Sequence, residues 1–406
     1  MKEGSSPPPA GHYQVVVIGG GIVGVSAAWA LALGDAARGG RKPAKVLLLE
    51  TWQPGHHRGS SHGDGRIVRF TYPEEVYLEM ARRVFPLWRE ISREAPEPIF
   101  FQTGSWECGR HGSPQLAEIE EALERAGVAF RRYGAAESRR RFPQFELPLG
   151  SEAIYQPEGA VVRAGAAVEA LWSAAERAGA ELHAGEKVLE IVPGEPATIG
   201  TDRATYTADA VVLAAGSWSG KLLRPLGLDL PLEPSREVIA YFAVAARSST
   251  GAVDHRAGSM PTLIDYHSDP PYYALPQVEV PGVKVGWHHT GPVADPDQEG
   301  EADERILRKI QSWVVDRMPF LDIRPLQVET CFYTNTPDYH FVLDRHPEIP
   351  NLAIGAGFSG HGFKFGPVLG EILADLATGH KPAFDLELFS ARRFRPGVRL
   401  EKRTSA

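Results

Sequence analysis

The stretch VVVIGGGIVGVSAAWALAL, residues 15–33, decides the fold of this chain. It begins with an apolar, β-branched run from Val15 to Ile18, which predicts a strand buried on both faces. Glycines follow at Gly19, Gly21 and Gly24, and then an apolar segment of helical length. The order of strand, glycine turn and helix predicts the opening of a βαβ unit in a nucleotide-binding α/β domain.

The six residues from Gly19 to Gly24 have the spacing GxGxxG, in which each glycine has its own use. Gly19 permits the tight turn, Gly21 lets the backbone approach a pyrophosphate, and Gly24 allows close packing of helix on strand. The free amides of the helix then face the phosphates. A second predicted strand, Val46–Glu50, ends in an acid that can accept a ribose hydroxyl, which argues against NADP. Dinucleotide binding is predicted, with FAD and NAD both open.

The composition limits what the chain can be. Its 406 residues are too many for one simple core and indicate two domains or one large discontinuous domain. Hydrophobic residues make up 43% and charged residues 23%, so we expect an ordered globular protein. A net charge of -8 gives no sign of a nucleic-acid or membrane partner. Two cysteines cannot form a disulfide framework, so a reducing compartment and a cytoplasmic protein are expected.

Signals for helices and strands alternate along the chain. Helices are predicted at Ser113–Arg125, with Ser113 as N-cap, and at 163–178, 301–318 and 366–378, and strands at 211–215 and 351–357. Residues 236–334 contain short β-rich runs. Because nucleotide-fold signals stand at the start, middle and end, we expect a discontinuous cofactor domain of residues 12–98, 152–228 and 329–390. An antiparallel β-rich substrate domain of 99–151 and 229–328 is inserted in it, with flexible tails at 1–11 and 394–406.

Four longer motifs point to one family. They are CFYTNTPDYHFVLDRHP (331–347), IGAGFSGHGFKFGPVLGE (354–371), HRGSSHGDGRIVR (57–69) and KVGWHH (284–289). The chain resembles the sarcosine oxidase family of flavoproteins from Gly19 to about Arg393, closest to the peroxisomal-type sarcosine/L-pipecolate oxidase branch. The resemblance implies a Rossmann-like GR2-type FAD-binding domain with the inserted β-rich domain, hence an α/β fold that is α+β overall.

The same resemblance implies the reaction and its residues. A secondary α-amino acid of the sarcosine, L-pipecolate or L-proline type loses a hydride to the flavin, and oxygen is reduced to hydrogen peroxide. Arg69 and Lys364 are expected to bind the substrate carboxylate, and Lys284 to promote oxygen reduction by its charge. The substrate pocket is expected to contain His288, Tyr273 and Tyr333. His289, next along the strand, is expected to point the other way.

Cofactor residues follow from the resemblance as well. Cys331 is expected to bind FAD covalently through a thioether, provided that nearby cations lower its pKa, whereas Cys108 is expected to be structural. The full implied set is Gly19, Gly21, Ile22, Val23, Gly24, Glu50, Ser61, His62, Arg66, Val188, Gly216, Trp218, Cys331, Gly360, His361, Gly362 and Lys364. Gly65 departs from the family, which has a hydroxyl residue there, and leaves either a missing hydrogen bond or room for water. No metal is expected, because His56, His57 and His62 lack a fitting spacing and companion ligands.

Several alternatives stay open at this point. One is an NAD-dependent dehydrogenase, which would be colourless, and another is a flavin-binding protein without catalytic activity. A third is a flavin dehydrogenase that passes electrons to a partner instead of oxygen. A fourth is an oxidase of a larger N-substituted amino acid, such as N-methyltryptophan or a fructosyl amino acid. A monomer is expected, with small molecules as its only partners.

Overall fold

The computed structural model describes residues 10–35, 40–245 and 253–395. These residues form two compact units. The first contains the described residues up to Ser61, Val168–Glu233 and the described residues from Thr334. The second contains His62–Ala167 and the described residues of Pro234–Tyr333. Residues 1–9 and 396–406 of the expected tails lie outside the described residues. Gly11, however, begins a strand, and Phe394 ends a 3-10 turn.

Eight α-helices occur in the described ranges. They are α1 Ile22–Leu33, α2 Glu75–Glu94, α3 Pro114–Arg125, α4 Ala135–Arg141, α5 Ala164–Arg177, α6 Ser219–Leu223, α7 Glu304–Arg317 and α8 Gly366–Ala377. The four predicted helices are confirmed as α3, α5, α7 and α8. Ser113 caps α3 as predicted, because its Oγ accepts a hydrogen bond from the amide of Leu116 at 3.4 Å. None of these helices is long and apolar enough to cross a membrane.

The described residues form nineteen strands in three sheets. They are β1 Gly11–Ile18, β2 Val46–Glu50, β3 Gly65–Val68, β4 Phe100–Gln102, β5 Ser105–Arg110, β6 Arg131–Gly134, β7 Ser151–Gln156, β8 Ala160–Arg163, β9 Glu181–Ala184, β10 Val188–Val192, β11 Ala197–Thr201, β12 Thr205–Leu213, β13 Glu233–Val244, β14 Thr262–Asp265, β15 Tyr272–Leu275, β16 Val283–Trp287, β17 Leu321–Asn335, β18 Val342–Arg345 and β19 Leu352–Ala356.

The first unit is built on a mostly parallel sheet. Its strand order is β10-β11-β12-β1-β2-β9, and β19 joins the far end of β12. The pairs β12/β1, β1/β2, β2/β9 and β12/β19 are parallel, while β10, β11 and β18 run antiparallel to their neighbours. Residues Val15–Ile18 of β1 are buried, as predicted for a strand covered on both faces, and β2 is buried throughout as well.

Helices α1 and α8 of this unit pack closely because a glycine lies at their contact. All residues of α1 except Leu33 are buried, so the helix is a core element and not a surface helix. A Cβ atom on Gly370 of α8 would lie 2.4 Å from the carbonyl carbon of Ser26 in α1. The missing side chain therefore lets α8 approach the glycine end of α1.

The second unit is built on an eight-stranded sheet with two unlike faces. The order is β17-β13-β16-β15-β14-β5-β7-β6, and the assigned pairs are antiparallel except β14/β5. One face packs a large apolar core that includes Trp106, Leu263, Ala274 and Val285. Since side chains alternate along a strand, the residues between these point to the other face. We call the group Glu107, Ile264, Tyr273, Lys284 and Gly286 the polar face. A small antiparallel sheet, β3-β8-β4, belongs to the same unit.

Two features differ from the sequence-based picture. The longest helix, α2, was not predicted, and it contains Pro86, a residue that usually ends a helix. The units also divide at other residues than the predicted domains, since 62–98 and 152–167 cluster with the second unit. The assignment of a cofactor domain and a substrate domain stays a prediction.

Candidate active site

The glycine turn between β1 and α1 leaves no room for side chains. Gly19 has a φ of 104°, a conformation that strains other residues. A Cβ on Gly24 would lie 1.8 Å from the carbonyl oxygen of Gly19. Gly21 is the N-cap of α1 and brings no side chain to the first-turn amides. Ile22 and Val23 begin the helix there, so the turn fits the close approach of a pyrophosphate.

Glu50 and Ser61 contact this turn directly. Glu50 Oε2 accepts a hydrogen bond from the amide of Gly20 at 2.6 Å, and its Oε1 accepts one from the amide of Trp52 at 3.0 Å. Ser61 Oγ accepts from the amide of Ile22 at 3.0 Å. A carboxylate oxygen has a second lone pair, so Glu50 keeps the capacity to accept a ribose hydroxyl. Both side chains lie at the glycine turn, and their contact with a dinucleotide stays a prediction.

Further predicted cofactor residues of the first unit lie on segments that follow strands. Gly216 has a φ of 52° after β12, and the ring of Trp218 lies 4.8 Å from that of Trp52. Trp218 is therefore brought next to the residues that follow Glu50. Val188 begins β10 and is buried, and its place beside the cofactor stays a prediction.

The segment Gly360–Lys364 leads into α8, whose first residue packs against the start of α1. Gly360 has a φ of 76°, and a Cβ on Gly362 would lie 2.6 Å from that of Phe358. Lys364 is buried, and its Nζ donates to the carbonyl of His361 at 3.0 Å. Gly366 follows and packs on Ile22, since a Cβ there would lie 2.6 Å from Ile22 Cγ1. The predicted surroundings of Lys364, apolar and rich in glycine, are therefore present.

Cross-strand register places the residues that are predicted to face the substrate in rows on the polar face. One row runs through Ile239, Gly286, Tyr273, Ile264 and Glu107. The next row contains Tyr241, Lys284 and Leu275. Cys331 and Tyr333 of β17 pack with Ile239 and Tyr241 in one apolar cluster.

The Cys331 thiol is not activated in this structure. Burial raises its pKa to about 11, although the charges of Arg66 and Lys284 lower it in part. The nearby cations lower the pKa of the thiol, as expected, but they do not produce a thiolate because the effect of desolvation is larger. Formation of a thioether would need a proton acceptor. Cys108 is also buried, with its Sγ 3.7 Å from Asp265 Oδ1, in keeping with a structural role.

Lys284 is a buried lysine with a lowered pKa. Burial and, to a smaller extent, the positive charge of Arg66 lower its pKa to about 7. Its Nζ donates to the carbonyl of Gly65 at 2.9 Å. Arg66 donates to the same carbonyl at 3.0 Å and to that of His62 at 2.7 Å. Lys284 does not face outward, and it is poised to change charge near neutral pH.

Gly65 is explained by packing and not by a space for water. A Cβ at this position would lie 2.9 Å from Leu275 Cδ2 and 3.0 Å from Val161 Cγ1. Two apolar side chains therefore occupy the room that was expected to be open. The hydrogen-bonding function at Gly65 belongs to its carbonyl oxygen, which accepts from Lys284 and Arg66.

Tyr273, Tyr333 and His288 form a connected buried group. The hydroxyls of Tyr273 and Tyr333 hydrogen-bond each other, and Tyr333 also bonds His288 Nδ1 at 3.0 Å. Burial raises the pKa of both tyrosines, so their hydroxyls stay protonated. Gly286 makes this possible, since a Cβ there would lie 2.3 Å from the hydroxyl oxygen of Tyr273.

The expectation that His289 points away from His288 is wrong. Strand β16 ends at Trp287, and His289 has a φ of 52° in the following turn. The alternation of a strand therefore no longer applies. The ring of His289 lies 4.0 Å from that of His288 and 5.4 Å from that of Tyr333.

Arg69 is buried in a network that includes a residue not foreseen from the sequence. Its Nη1 donates to Thr71 Oγ1 at 2.7 Å and to the hydroxyl of Tyr266 at 3.3 Å. The same nitrogen lies 3.6 Å from Glu107 Oε1. Glu237 was missed as well; its carboxylate accepts from the amides of Thr290 and Gly291 at 3.1 and 2.9 Å. The sequence signal that could have indicated Glu237 is an acid directly before the apolar run of β13.

Known proteins match this chain along nearly its whole length. The family model described as FAD dependent oxidoreductase matches residues 14–376. The peroxisomal sarcosine oxidase of Homo sapiens is 37% identical, with 94% of this chain and 96% of that protein covered. The monomeric sarcosine oxidase of Bacillus sp. (strain NS-129) is 35% identical, with 94% and 97% covered.

A solved structure agrees with this assignment. NikD, an unusual amino acid oxidase essential for nikkomycin biosynthesis, has a TM-score of 0.79 at 29% identity, with 94% of this chain and 98% of that chain covered. Together with the glycine turn and Glu50, these matches confirm the predicted α/β fold and the FAD prediction. The chain belongs to the FAD dependent oxidoreductase family and, within it, to the sarcosine oxidase family of flavin-dependent amine oxidases.

Proposed function

We propose that the chain oxidises a secondary α-amino acid of the sarcosine, L-pipecolate or L-proline type at the carbon next to nitrogen, with oxygen as electron acceptor. The observation that supports this most is the buried Lys284 on the polar face, beside the hydrogen-bonded group of Tyr273, Tyr333 and His288. A buried lysine is costly for stability, which favours a chemical role for it.

The substrate carboxylate is assigned to Arg69. Thr71 and Tyr266 hold its guanidinium, and a guanidinium can bind a carboxylate through two parallel hydrogen bonds. Lys364 keeps its predicted role as a second cation, because it is buried in a glycine-rich segment.

His288 is assigned to the substrate amine. Its Nδ1 is engaged by Tyr333, so the ring is fixed and Nε2 is the nitrogen that would meet the amine. The protonated tyrosines orient the amine but do not act as bases. The amine must therefore lose its proton on binding, and substrate oxidation should quicken toward alkaline pH.

FAD, when bound, accepts the hydride equivalent and passes the electrons to oxygen, giving hydrogen peroxide. Lys284 would stabilise the negative charge that develops on oxygen while its ammonium group is protonated. Covalent attachment of FAD through Cys331 is part of the proposal. It is supported by the place of Cys331 in the cluster with Ile239, Tyr241 and Tyr333 and by the positive charges of Arg66 and Lys284, which favour the thiolate.

An anaerobic titration tests the proposed function. The purified yellow protein is mixed in turn with sarcosine, L-pipecolate and L-proline, and the visible absorption of the flavin is followed. Bleaching by one of them is expected, and its rate ranks the substrates. A flavin that stays oxidised with all three would contradict the small-substrate assignment. Larger N-substituted amino acids, the second candidate class, would then be tested in the same way.

A monomer in the cytoplasm completes the proposal. The Bacillus relative is named monomeric, whereas the human relative is named peroxisomal. Both cysteines of this chain are free and buried, as suits a reducing compartment. Light scattering after size exclusion is expected to give the mass of one chain, 44.3 kDa.

A further inference from the structure

Glu107 is a fully buried carboxylate on the polar face. It lies in β5, and the register pairs it with Ile264 and, one strand further, with the row of Tyr273. Its neighbours Trp106 and Cys108 point into the apolar core on the opposite face. Glu107 thus shares a sheet face with the proposed substrate residues, and the proposed function assigns it nothing.

One oxygen of Glu107 is occupied and the other is not. Oε1 accepts from Ser105 Oγ at 2.7 Å and from Thr71 Oγ1 at 2.8 Å. Thr71 Oγ1 in turn accepts from Arg69, so a directed chain runs from the guanidinium through Thr71 to Glu107. Oε2 has no hydrogen-bond partner among the described residues although it is buried. If this buried carboxylate is ionised with one oxygen unpaired, it is the positive charge of Arg69 that stabilises its negative charge.

In the part of the chain that the structure describes, the charged and titratable groups near the Glu107 carboxylate are one arginine, two tyrosines and one cysteine. Arg69 lies 3.6 Å away and is the cation of the group. The hydroxyl of Tyr266 accepts a hydrogen bond from Arg69 Nη1, and the ring of Tyr72 lies 5.1 Å from the guanidinium carbon of Arg69. Cys108 follows on the same strand, and its thiol interacts with the charge of Glu107. Arg69 alone among these brings a positive charge to Glu107.

We propose that Glu107 is the resident counter-ion of Arg69 and takes up a proton when the carboxylate of a substrate or inhibitor binds to that arginine. The inference rests on the proposed function, in which Arg69 binds the substrate carboxylate. Two carboxylates then share one guanidinium in a buried site, and like charges at such range disfavour each other. The incoming carboxylate stays ionised because it can form both hydrogen bonds to the arginine, whereas Glu107 has an oxygen that can hold the proton.

The sign of the pH dependence follows from linkage. Ligand binding raises the pKa of Glu107, so the complex holds more protons than the free enzyme between the two pKa values. The Kd of the carboxylate ligand therefore rises with pH in that window, by up to about tenfold per pH unit. Burial already raises the pKa of Glu107 in the free protein, which brings the window toward neutral pH.

Calorimetry on the holoenzyme tests this directly. The ligand is 2-furoate, a ring carboxylate with no amine and hence no oxidisable position. Titrations in two buffers of different ionisation enthalpy at several pH values give Kd and the number of protons taken up. We expect uptake of up to one proton by the wild-type protein. The variant Glu107→Gln is expected to take up none from this position, to bind more tightly at high pH, and to show a flatter Kd profile.

Two further variants separate the possible outcomes. Glu152→Gln is the matched control, since its buried carboxylate is occupied by Gly112 and His111 and should leave the proton uptake unchanged. Arg69→Lys is expected to weaken 2-furoate binding at least tenfold; if it does not, the carboxylate role of Arg69 fails and the inference with it. If Arg69→Lys binds 2-furoate more weakly but the wild type and Glu107→Gln take up equal numbers of protons, the role of Glu107 is overturned and that of Arg69 stands. Absence of uptake by the wild type does the same, without need of a variant.

Discussion

At the scale of single residues, the charge of Lys284 decides how the proposed oxidation ends. With a pKa of about 7, the ammonium form dominates below neutral pH and is lost above it. Reoxidation of the reduced enzyme by oxygen should therefore slow as pH rises through 7, by at most about tenfold per unit. Stopped-flow mixing of reduced enzyme with oxygenated buffer measures this rate. Lys284→Met is expected to react slowly at every pH, whereas its reduction by substrate is retained.

The control for this prediction is Lys309→Met, which removes an exposed lysine from α7. It should keep the wild-type pH profile. A wild-type reoxidation rate that does not change across neutral pH would contradict the charge-based role of Lys284. Equal loss of both half-reactions in Lys284→Met would show that the substitution damages the site as a whole.

Single residues differ in how well they can be identified from the sequence. Lys284 and Cys331 could be predicted because they stand in the distinctive motifs KVGWHH and CFYTNTPD. Glu107 could not, because an acid between Trp106 and Cys108 has the pattern of a strand with one solvent-facing side. Only the register with β14 and the placement of Arg69 reveal that this side is buried.

At the scale of elements, the turn before α1 tolerates no added atom. Gly24→Ala is expected to force the helix away from β1, because its Cβ would lie 1.8 Å from the Gly19 oxygen. We expect a loss of about 3 kcal/mol in the free energy of unfolding and a loss of bound FAD. Urea unfolding and the flavin-to-protein absorbance ratio measure the two effects. Gly134→Ala, at the N-cap of α4, meets nothing within 4 Å; it should keep bound FAD and lower the free energy of unfolding by at most about 1 kcal/mol, since alanine is a poorer N-cap than glycine.

The turn after β16 depends on a buried acid in a neighbouring strand. Glu237 of β13 accepts from the amides of Thr290 and Gly291, which follow His288. Glu237→Ala should lower the free energy of unfolding by about 1–3 kcal/mol and reduce kcat/KM, since His288 loses its support. Glu237→Gln keeps an acceptor oxygen and should recover most of both losses. Equal kcat/KM in wild type and Glu237→Ala would contradict a positioning role.

Elements with clear end signals were predictable, and those without were not. Helices α3 and α8 start within one residue of the prediction because Ser113 and Gly366 mark their beginnings. Helix α2 escaped notice because Pro86 lies in its interior, where the cost of a proline is overcome by a buried apolar stripe. His289 was misjudged because residues 287–290, where β16 ends, include no glycine or proline to mark the end.

At the scale of the whole molecule, FAD should contribute to stability in two distinguishable ways. If Cys331 binds FAD covalently, acid precipitation of the wild-type protein leaves the flavin in the pellet, whereas Cys331→Ser releases it to the supernatant. The melting temperature of Cys331→Ser should then rise with added FAD. At a thousandfold excess of FAD over its Kd, binding adds about 4 kcal/mol to the free energy of unfolding. Added FAD should leave the wild-type melting temperature unchanged. Flavin in the wild-type supernatant would exclude the thioether.

The sequence also carried much of the overall organisation. Nucleotide-fold motifs at both ends and in the middle predicted a discontinuous cofactor domain, and the first unit of the structure likewise consists of three separate segments, with other boundaries. The exact boundaries could not be read, because residues 62–98 follow the cofactor motif without a linker of distinctive composition. Membership of a unit is decided by long-range sheet pairing, which short-range patterns do not encode.

The two unlike faces of the large sheet have a consequence for changing what the enzyme accepts. Residues that face the proposed substrate alternate along each strand with residues that hold the fold, as Glu107 does with Trp106 and Cys108. A directed-evolution library could therefore randomise Ser105, Glu107, Ile264, Tyr273 and Gly286 and leave every second position untouched. Single-residue insertions or deletions within the same strands have the opposite effect, since they exchange the two faces and abolish folding and activity together.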